Sequence, residues 1–184
     1  MKRLQRSSAA LFVVLNIFSI GLFSCQDNFD ESDAVSQQDR DFTMNAAYYN
    51  IAEIQLGELA FQKSDNDSVM DYGKSMIMDL NPARNTLDSI ARAFSINVPV
   101  KMDKAGQTLY NRLSALSSFA FDTAYINSRA EDYQGTITLM EKQRDTGNNK
   151  LLIEYAIKYL SVINRHLQHV TSLRTWLNDN GGAQ

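Results

Sequence analysis

FTMNAAYYNIAEIQLGELA, residues 42–60, decides the fold. Phe42, Ala46, Tyr49, Glu53, Leu56 and Ala60 follow one another at steps of four and three. That spacing places them along one face of an α-helix and is the seam of a helix packed lengthwise against others. Upstream, Ser36 with Asp39 three residues later has the pattern of a capping box. Downstream, Ser64-Asp65-Asn66-Asp67 breaks the period and supplies side chains that cap whatever follows. The first helix is therefore expected from Ser36 to Lys63.

The same period continues outward. A second helix is expected over Asp67–Phe94, with the seam Val69, Gly73, Met76, Leu80, Ala83, Leu87, Ile90 and Phe94. Pro82 lies inside it and should kink it or start a new turn. Residues 95–102 read as a loop, and Asp103–Leu116 as a short amphipathic helix stopped by Ser117 and Ser118, which cap the next. A third long helix is expected over Phe119–Arg144 (seam Phe121, Tyr125, Ser128, Asp132, Gly135, Leu139). After the turn Asp145-Thr146-Gly147-Asn148, a fourth covers Asn149–Asn178 (seam Leu152, Tyr155, Tyr159, Val162, His166, His169, Leu173). The fold class is all-α, a four-helix bundle with an extra short helix between long helices 2 and 3. At 1.5 Å per helical residue and about 3.3 Å per extended one, that connection reaches ~50 Å, enough to run back along a bundle of about 40 Å. A ferritin-like topology with one crossover is therefore accessible.

Before residue 36 the chain has a different character. Residues 1–8 carry Lys2, Arg3 and Arg6; residues 9–23, AALFVVLNIFSIGLF, are apolar apart from Asn16 and Ser19. This run is shorter than the ~20 residues of a spanning helix and has the shape of a signal peptide. It ends in Leu22-Phe23-Ser24-Cys25, with the only cysteine of the 184 residues. The four residues resemble the lipobox of bacterial lipoproteins, with Leu22 at the aliphatic position and Ser24 at the small one; Phe23 is bulkier than usual. The resemblance implies cleavage before Cys25 and a diacylglycerol on its sulfur, which fastens a protein to a bilayer at ~0.8 kcal/mol per buried CH₂. Residues 26–39, QDNFDESDAVSQQD, are acidic without a base and too polar to order themselves. Asp27, Asp30 and Glu31 resemble the acidic export signal that some Gram-negative lipoproteins carry after the lipidated cysteine, and a plain acidic spacer reads the same way. The organisation expected is a signal peptide over 1–24, an acidic tether over 25–35 and a helical domain over 36–180, held in the outer membrane on its periplasmic or outward face.

Near mid-helix the seams carry polar groups: Glu53 in helix one, Asp79 in two, Asp132 in three and His166 in four. Helices of equal length bring these to one level, where a buried carboxylate has to be paired, metal-bound or neutral. Arg84, Arg129 and Arg165 are the available counter-charges. The stretch Ala52-Glu53-Ile54-Gln55-Leu56-Gly57-Glu58-Leu59-Ala60 resembles the start of a ferritin-like domain family of unknown function associated with the outer membrane. Met76-Ile77-Met78-Asp79-Leu80, Leu113-Ser114-Ala115-Leu116-Ser117 with Phe121-Asp122-Thr123-Ala124-Tyr125, Glu131-Asp132-Tyr133 and His166-Leu167 resemble its later motifs. The resemblance covers about 40–178 and implies an antiparallel helical bundle in the envelope, with no established activity. It also departs from the family: Leu80 and Tyr133 stand where histidine is usual. The Glu-x-x-His spacing of di-iron bundles is absent as well.

Net charge is −3, and −6 from Cys25 onward, so clustered cations for nucleic acid or an anionic lipid face are lacking. No nucleophile–base pair, phosphate loop or cysteine cluster stands out. The expectation is a non-catalytic envelope lipoprotein without cofactor or metal, anchored through Cys25, whose bundle binds an envelope protein partner or packs at the membrane surface in a structural role, with Glu53, Asp79, Asp132 and His166 as a hydrogen-bonded polar layer. The competing reading is a degenerate ferritin-like metal-binding or redox protein using those four residues. A third is small-molecule capture in a cavity beside Pro82.

Overall fold

The computed structural model describes residues 34–180, so the signal peptide, the lipidation of Cys25 and most of the acidic tether lie outside the described residues. Within them are five helices and no strand: α1 (Gln37–Lys63), α2 (Asp67–Ala93), α3 (Lys104–Ser114), α4 (Ser118–Thr146) and α5 (Lys150–Asn180). Their ends follow local chemistry. Ser36 and Asp39 form the reciprocal capping box on α1, and Asn66 accepts from the backbone N–H groups of Ser68 and Val69 to start α2. Asp103 caps α3 through the Gly106 N–H. Ser117 precedes α4 but makes no side-chain cap bond. α2 stops where Ser95 takes φ 53°, with Ile96 N–H bonded to Ala91 O and Ser95 N–H to Arg92 O, a Schellman arrangement.

Pro82 starts no new helix: α2 runs on through it as one α-helix. The i−4 carbonyl that loses its donor belongs to Met78, which is 66% exposed, so water can take the proline's place.

α1 packs on α2 and α4 on α5; α2 also faces α5, α1 faces α4, and α3 lies against α1 and α4. Cross-helix bonds fix the directions. Asp39 near the start of α1 meets Gln143 near the end of α4, and Ser64 just after α1 meets Asp122 near the start of α4. Asp79 in α2 meets Arg165 in α5, while Thr86, later in α2, meets Tyr159, earlier in α5. Each packed pair among the four long helices is thus antiparallel, and residues 94–117 return from the end of α2 to the opposite end of the molecule. The core is rich in tyrosine: Tyr72, Tyr125, Tyr133, Tyr155 and Tyr159 are all buried alongside Phe42, Phe121, Leu80, Leu87 and Ile163.

Two contacts hold the helices especially close or in register. A Cβ built on Gly57 would stand 2.8 Å from the Gly73 carbonyl oxygen, and one on Gly73 would stand 2.7 Å from the Gly57 oxygen. The α1–α2 hairpin therefore closes backbone to backbone, with no room for a methyl group. At the other end of α1, the buried Asp39 carboxylate accepts from Ser36 N and Oγ (2.9 and 2.7 Å), Gln143 Nε2 (2.6 Å), Asn148 N (3.1 Å) and Asn149 N (3.2 Å). Burial alone would raise its pKa, but the bonds from Gln143, Ser36 and Asn148 together outweigh that and hold it below 3.8.

Gly73→Ala should lose about 1–2 kcal/mol, because overpacking against rigid backbone exceeds the ~1 kcal/mol gained in helix propensity; unchanged or higher urea stability would contradict the close contact. Asp39→Ala should cost roughly 3 kcal/mol at neutral pH. Because the folded carboxyl is the stronger acid, the stability it gives is present above pH 3.8 and lost as pH falls through its folded value. The difference between wild type and variant should therefore shrink in acid, as denaturant melts at pH 7 and pH 3 would show.

Candidate functional site

Steps of four along α1 and α4 put Tyr49 and Glu53 on one face and Tyr125, Arg129 and Tyr133 on another, and the two faces meet. Arg129 is 1% exposed and pairs through Nη1 with Glu53 Oε1, itself 3% exposed. Its Nη2 reaches Asp132 Oδ2 at 2.8 Å and its Nε the Ser128 hydroxyl at 3.4 Å. Glu53 Oε2 and the Tyr49 hydroxyl are buried with no hydrogen-bond partner.

On the other side of the core, α2 and α5 bring Asp79 and His166 together. Asp79 Oδ2 accepts from Arg165 Nη2 at 2.8 Å. His166 Nε2 stands 2.9 Å from the same oxygen without the alignment of a hydrogen bond. Burial lowers the His166 pKa below 6.5; Asp79 pulls it up, Arg165 and His169 push it down, and the net shift is downward. Between the two groups lie the tyrosines. The Tyr72 and Tyr133 hydroxyls are 2.5 Å apart, Tyr133 also reaches Met76 Sδ at 3.3 Å, and the Tyr72 ring meets His166 edge-on at 6.0 Å. Burial, before any neighbouring charge, raises the pKa of Tyr72 and Tyr133, so both hydroxyls stay neutral.

The four polar residues singled out in the sequence therefore separate. Glu53 belongs to the α1–α4 pair with Arg129; Asp79 and His166 belong to the α2–α5 contact. Asp132 lies at the rim, its side chain 58% exposed, and touches the interior only through Arg129. The seam expected for α4 was displaced by one residue at this point. Its buried positions run through Arg129, Tyr133, Thr136, Ile137 and Met140, while Asp132 and Gly135 are exposed. A hydrophobic count skips a charged residue, and Arg129 occupies a core position only because Glu53 neutralises it. Of the three candidate arginines, Arg129 and Arg165 meet the acidic residues of the seams, whereas Arg84 lies 3.8 Å from Asp88 on its own helix. His166 is buried and His169 exposed. Among the described residues no group of three or more His, Cys, Asp or Glu side chains is placed to hold a metal ion.

A cleft of about 1070 Å³ opens between α1, α3 and α4. Glu53, Arg129 and Tyr49 form part of its wall, with Tyr48 and Leu56 from α1, Leu109 and Arg112 from α3, and Gly135 from α4. It does not adjoin Pro82, which lies on the exposed side of α2. What the sequence did not reveal is that α3 covers this side of the α1–α4 pair; its one fully buried residue, Leu113, is the only local hint of where it docks.

The model of a family described as a domain of unknown function matches residues 26–173. No curated protein and no solved structure matches the chain.

His166 gains protons less readily folded than unfolded, so its contribution is fully present above pH 6.5 and declines as pH falls through that value toward the lower folded pKa. Thermal melts of wild type should weaken on going from pH 7.5 to 5.5, and His166→Gln should flatten that slope. An equal slope in both proteins would place the titration elsewhere.

Proposed function

The chain belongs to the DUF4142 family, a domain of unknown function, and we propose that it is a non-catalytic, lipid-anchored protein of the cell envelope whose helical domain binds a partner or ligand. The reading of the domain is that of a ferritin-like four-helix bundle with α3 inserted in the crossover. Antiparallel packing of the four long helices and the single long return from α2 to α4 support that topology.

The observation that carries the non-catalytic reading is the commitment of the buried Glu53 and the half-buried Asp79 to arginine. Glu53 is paired with Arg129 and Asp79 with Arg165. For the two acids to ligate a metal, both guanidinium groups would have to be released, one of them into a dry interior where an unpaired charge is costly. Leu80 and Tyr133, both buried, occupy the positions where the resemblance leads one to look for histidine, and neither has an imidazole to offer.

The anchor rests on Leu22-Phe23-Ser24-Cys25 and the basic and apolar segments before it. No described helix is long and apolar enough to cross a membrane, so attachment through the acyl chains on Cys25 supplies what the domain does not. Placement in the outer membrane follows from the same reading, with the tether giving the domain reach from the lipid surface.

Mass spectrometry of the mature protein from bacterial membranes should find Cys25 as the N-terminal residue bearing a diacylglycerol. Cys25→Ser should leave an uncleaved, unacylated precursor. A mature wild-type N-terminus at another residue, or Cys25 without lipid, would overturn the anchor.

A further inference from the structure

Net charge conceals where the charges lie. One end of the bundle, the base, gathers the start of α1, the ends of α2 and α4, and the start of α5. Arg40, Arg92, Lys101, Lys142, Lys150 and Lys158 lie there, and none of them is ion-paired among the described residues. The acids there without a counter-ion are Asp41, Glu141 and Glu154. Asp88 and Asp145 are taken by Arg84 and Arg144, and Asp39 is buried. At the opposite end the sign is reversed: Glu58, Asp65, Asp67, Asp71 and Asp179 outnumber Lys63, Lys74, Arg112 and Arg174.

The base also exposes aliphatic side chains, each with a lysine beside it. Val100, in the loop after α2, is 81% exposed, and Lys101 follows it. Leu151, in the first turn of α5, is 45% exposed and follows Lys150; Ile157, further along α5, is 52% exposed and precedes Lys158. Scattered singly, such residues need no explanation. Next to ammonium groups they have the composition suited to a lipid headgroup layer, where the apolar group enters and the ammonium meets phosphate. The large hydrophobic side chains exposed near the other end, Phe61, Phe119 and Trp176, have no charged neighbour in sequence.

The chain outside the domain decides what covers the base. The Ala34 carbonyl accepts from Asn148 Nδ2 at 2.7 Å, so the chain enters the bundle at the turn between α4 and α5. Only residues 26–33 separate Ala34 from Cys25, and fully extended they reach ~30 Å. The bundle is ~40 Å long. A lipid on Cys25 therefore keeps the base beside the bilayer and lets the opposite end stand away from it. Fastening also raises the local concentration of lipid, so contacts too weak to bind a free domain suffice.

We propose that the base of the bundle docks on the anionic phospholipid surface to which Cys25 is fastened, with Val100 and Leu151 in the headgroup layer and the neighbouring lysines on lipid phosphates. The inference rests on the anchor proposed above and adds an orientation to it.

The test uses the lipidated protein floated with vesicles of mixed phosphatidylethanolamine and phosphatidylglycerol, and with vesicles of phosphatidylcholine alone. Cys25 is the only cysteine, and acylation occupies its sulfur, so a cysteine introduced elsewhere is the only free thiol for a nitroxide label. Val100→Cys reports the base; Ser68→Cys, exposed at the start of α2, reports the opposite end. On the anionic vesicles the label at position 100 should collide severalfold less with a water-soluble nickel chelate than on phosphatidylcholine, and more with oxygen. The label at position 68 should be equally open to nickel on both. Lys150→Glu with Lys158→Glu should return the position-100 label to water while the helical circular-dichroism spectrum is unchanged. A position-100 label as open as the position-68 label on anionic vesicles, or one indifferent to the double charge reversal, would overturn the docking while flotation still upholds the anchor. Equal protection on both vesicles would also overturn it. Loss of that protection on changing Asp27, Asp30 and Asp33 to Asn and Glu31 to Gln would then assign the base to the acidic tether. Protein that does not float would remove anchor and docking together.

Discussion

A buried guanidinium must have its counter-charge beside it, and in this protein Glu53 supplies it for Arg129. The pair joins α1 to α4, the two helices that no short loop connects. Hydrophobic packing between two such faces tolerates sliding, but a buried charge pair has one satisfactory register, and a shift by one helical turn leaves both charges stranded. The same pair brings Asp132 to the rim through the second guanidinium arm and turns one oxygen of Glu53 away from any protein partner. Register and the polar character of the α1–α3–α4 cleft follow from one interaction.

Polar contacts at the two ends of α1 repeat that logic. Asp39 gathers the start of α1, the end of α4 and the turn into α5, while Ser64 donates to Asp122 at 2.6 Å where α1 ends and α4 begins. Burial raises the Asp122 pKa, with the Ser64 bond opposing it and Asp65 adding to it. With Glu53–Arg129 between them, three polar contacts along one helix interface agree on a single antiparallel alignment. On the α1–α2 side the corresponding constraint is steric, the mutual approach of Gly57 and Gly73. The two interfaces of α1 are thus closed by different physics: backbone proximity against α2, where the loop is short, and charge and hydrogen bonding against α4, where the chain takes the long way round.

Helix positions were largely legible from period and caps. Ser36 with Asp39, Asn66 and Asp103 do at the helix starts what their side-chain chemistry allows. The seam of α2 from Val69 to Ile90 is buried as the four-and-three spacing requires. The seam of α4 was legible only as far as Ser128. Beyond it the core contains Arg129, Thr136 and Gln143, each polar, with Arg129 held by Glu53 and Gln143 donating to Asp39. Periodicity read from apolar residues cannot see a core position whose fitness depends on a partner about a hundred residues away. That α2 continues through Pro82 is likewise not a local matter: the effect of the proline depends on whether the deprived carbonyl faces water, and burial is a tertiary property.

The sequence by itself determined the helices, their approximate ends and the antiparallel hairpins that short loops enforce. These are local properties, set by period, capping and composition within a few residues. The tertiary structure alone decided which acids meet which arginines, that Asp132 stays at the rim, that His166 is buried beside Asp79, and that α3 closes over a cleft with an unsatisfied carboxylate oxygen. Those outcomes depend on the relative rotation and register of helices far apart in the chain, which are settled by desolvation and pairing once the helices meet and which local pattern does not encode.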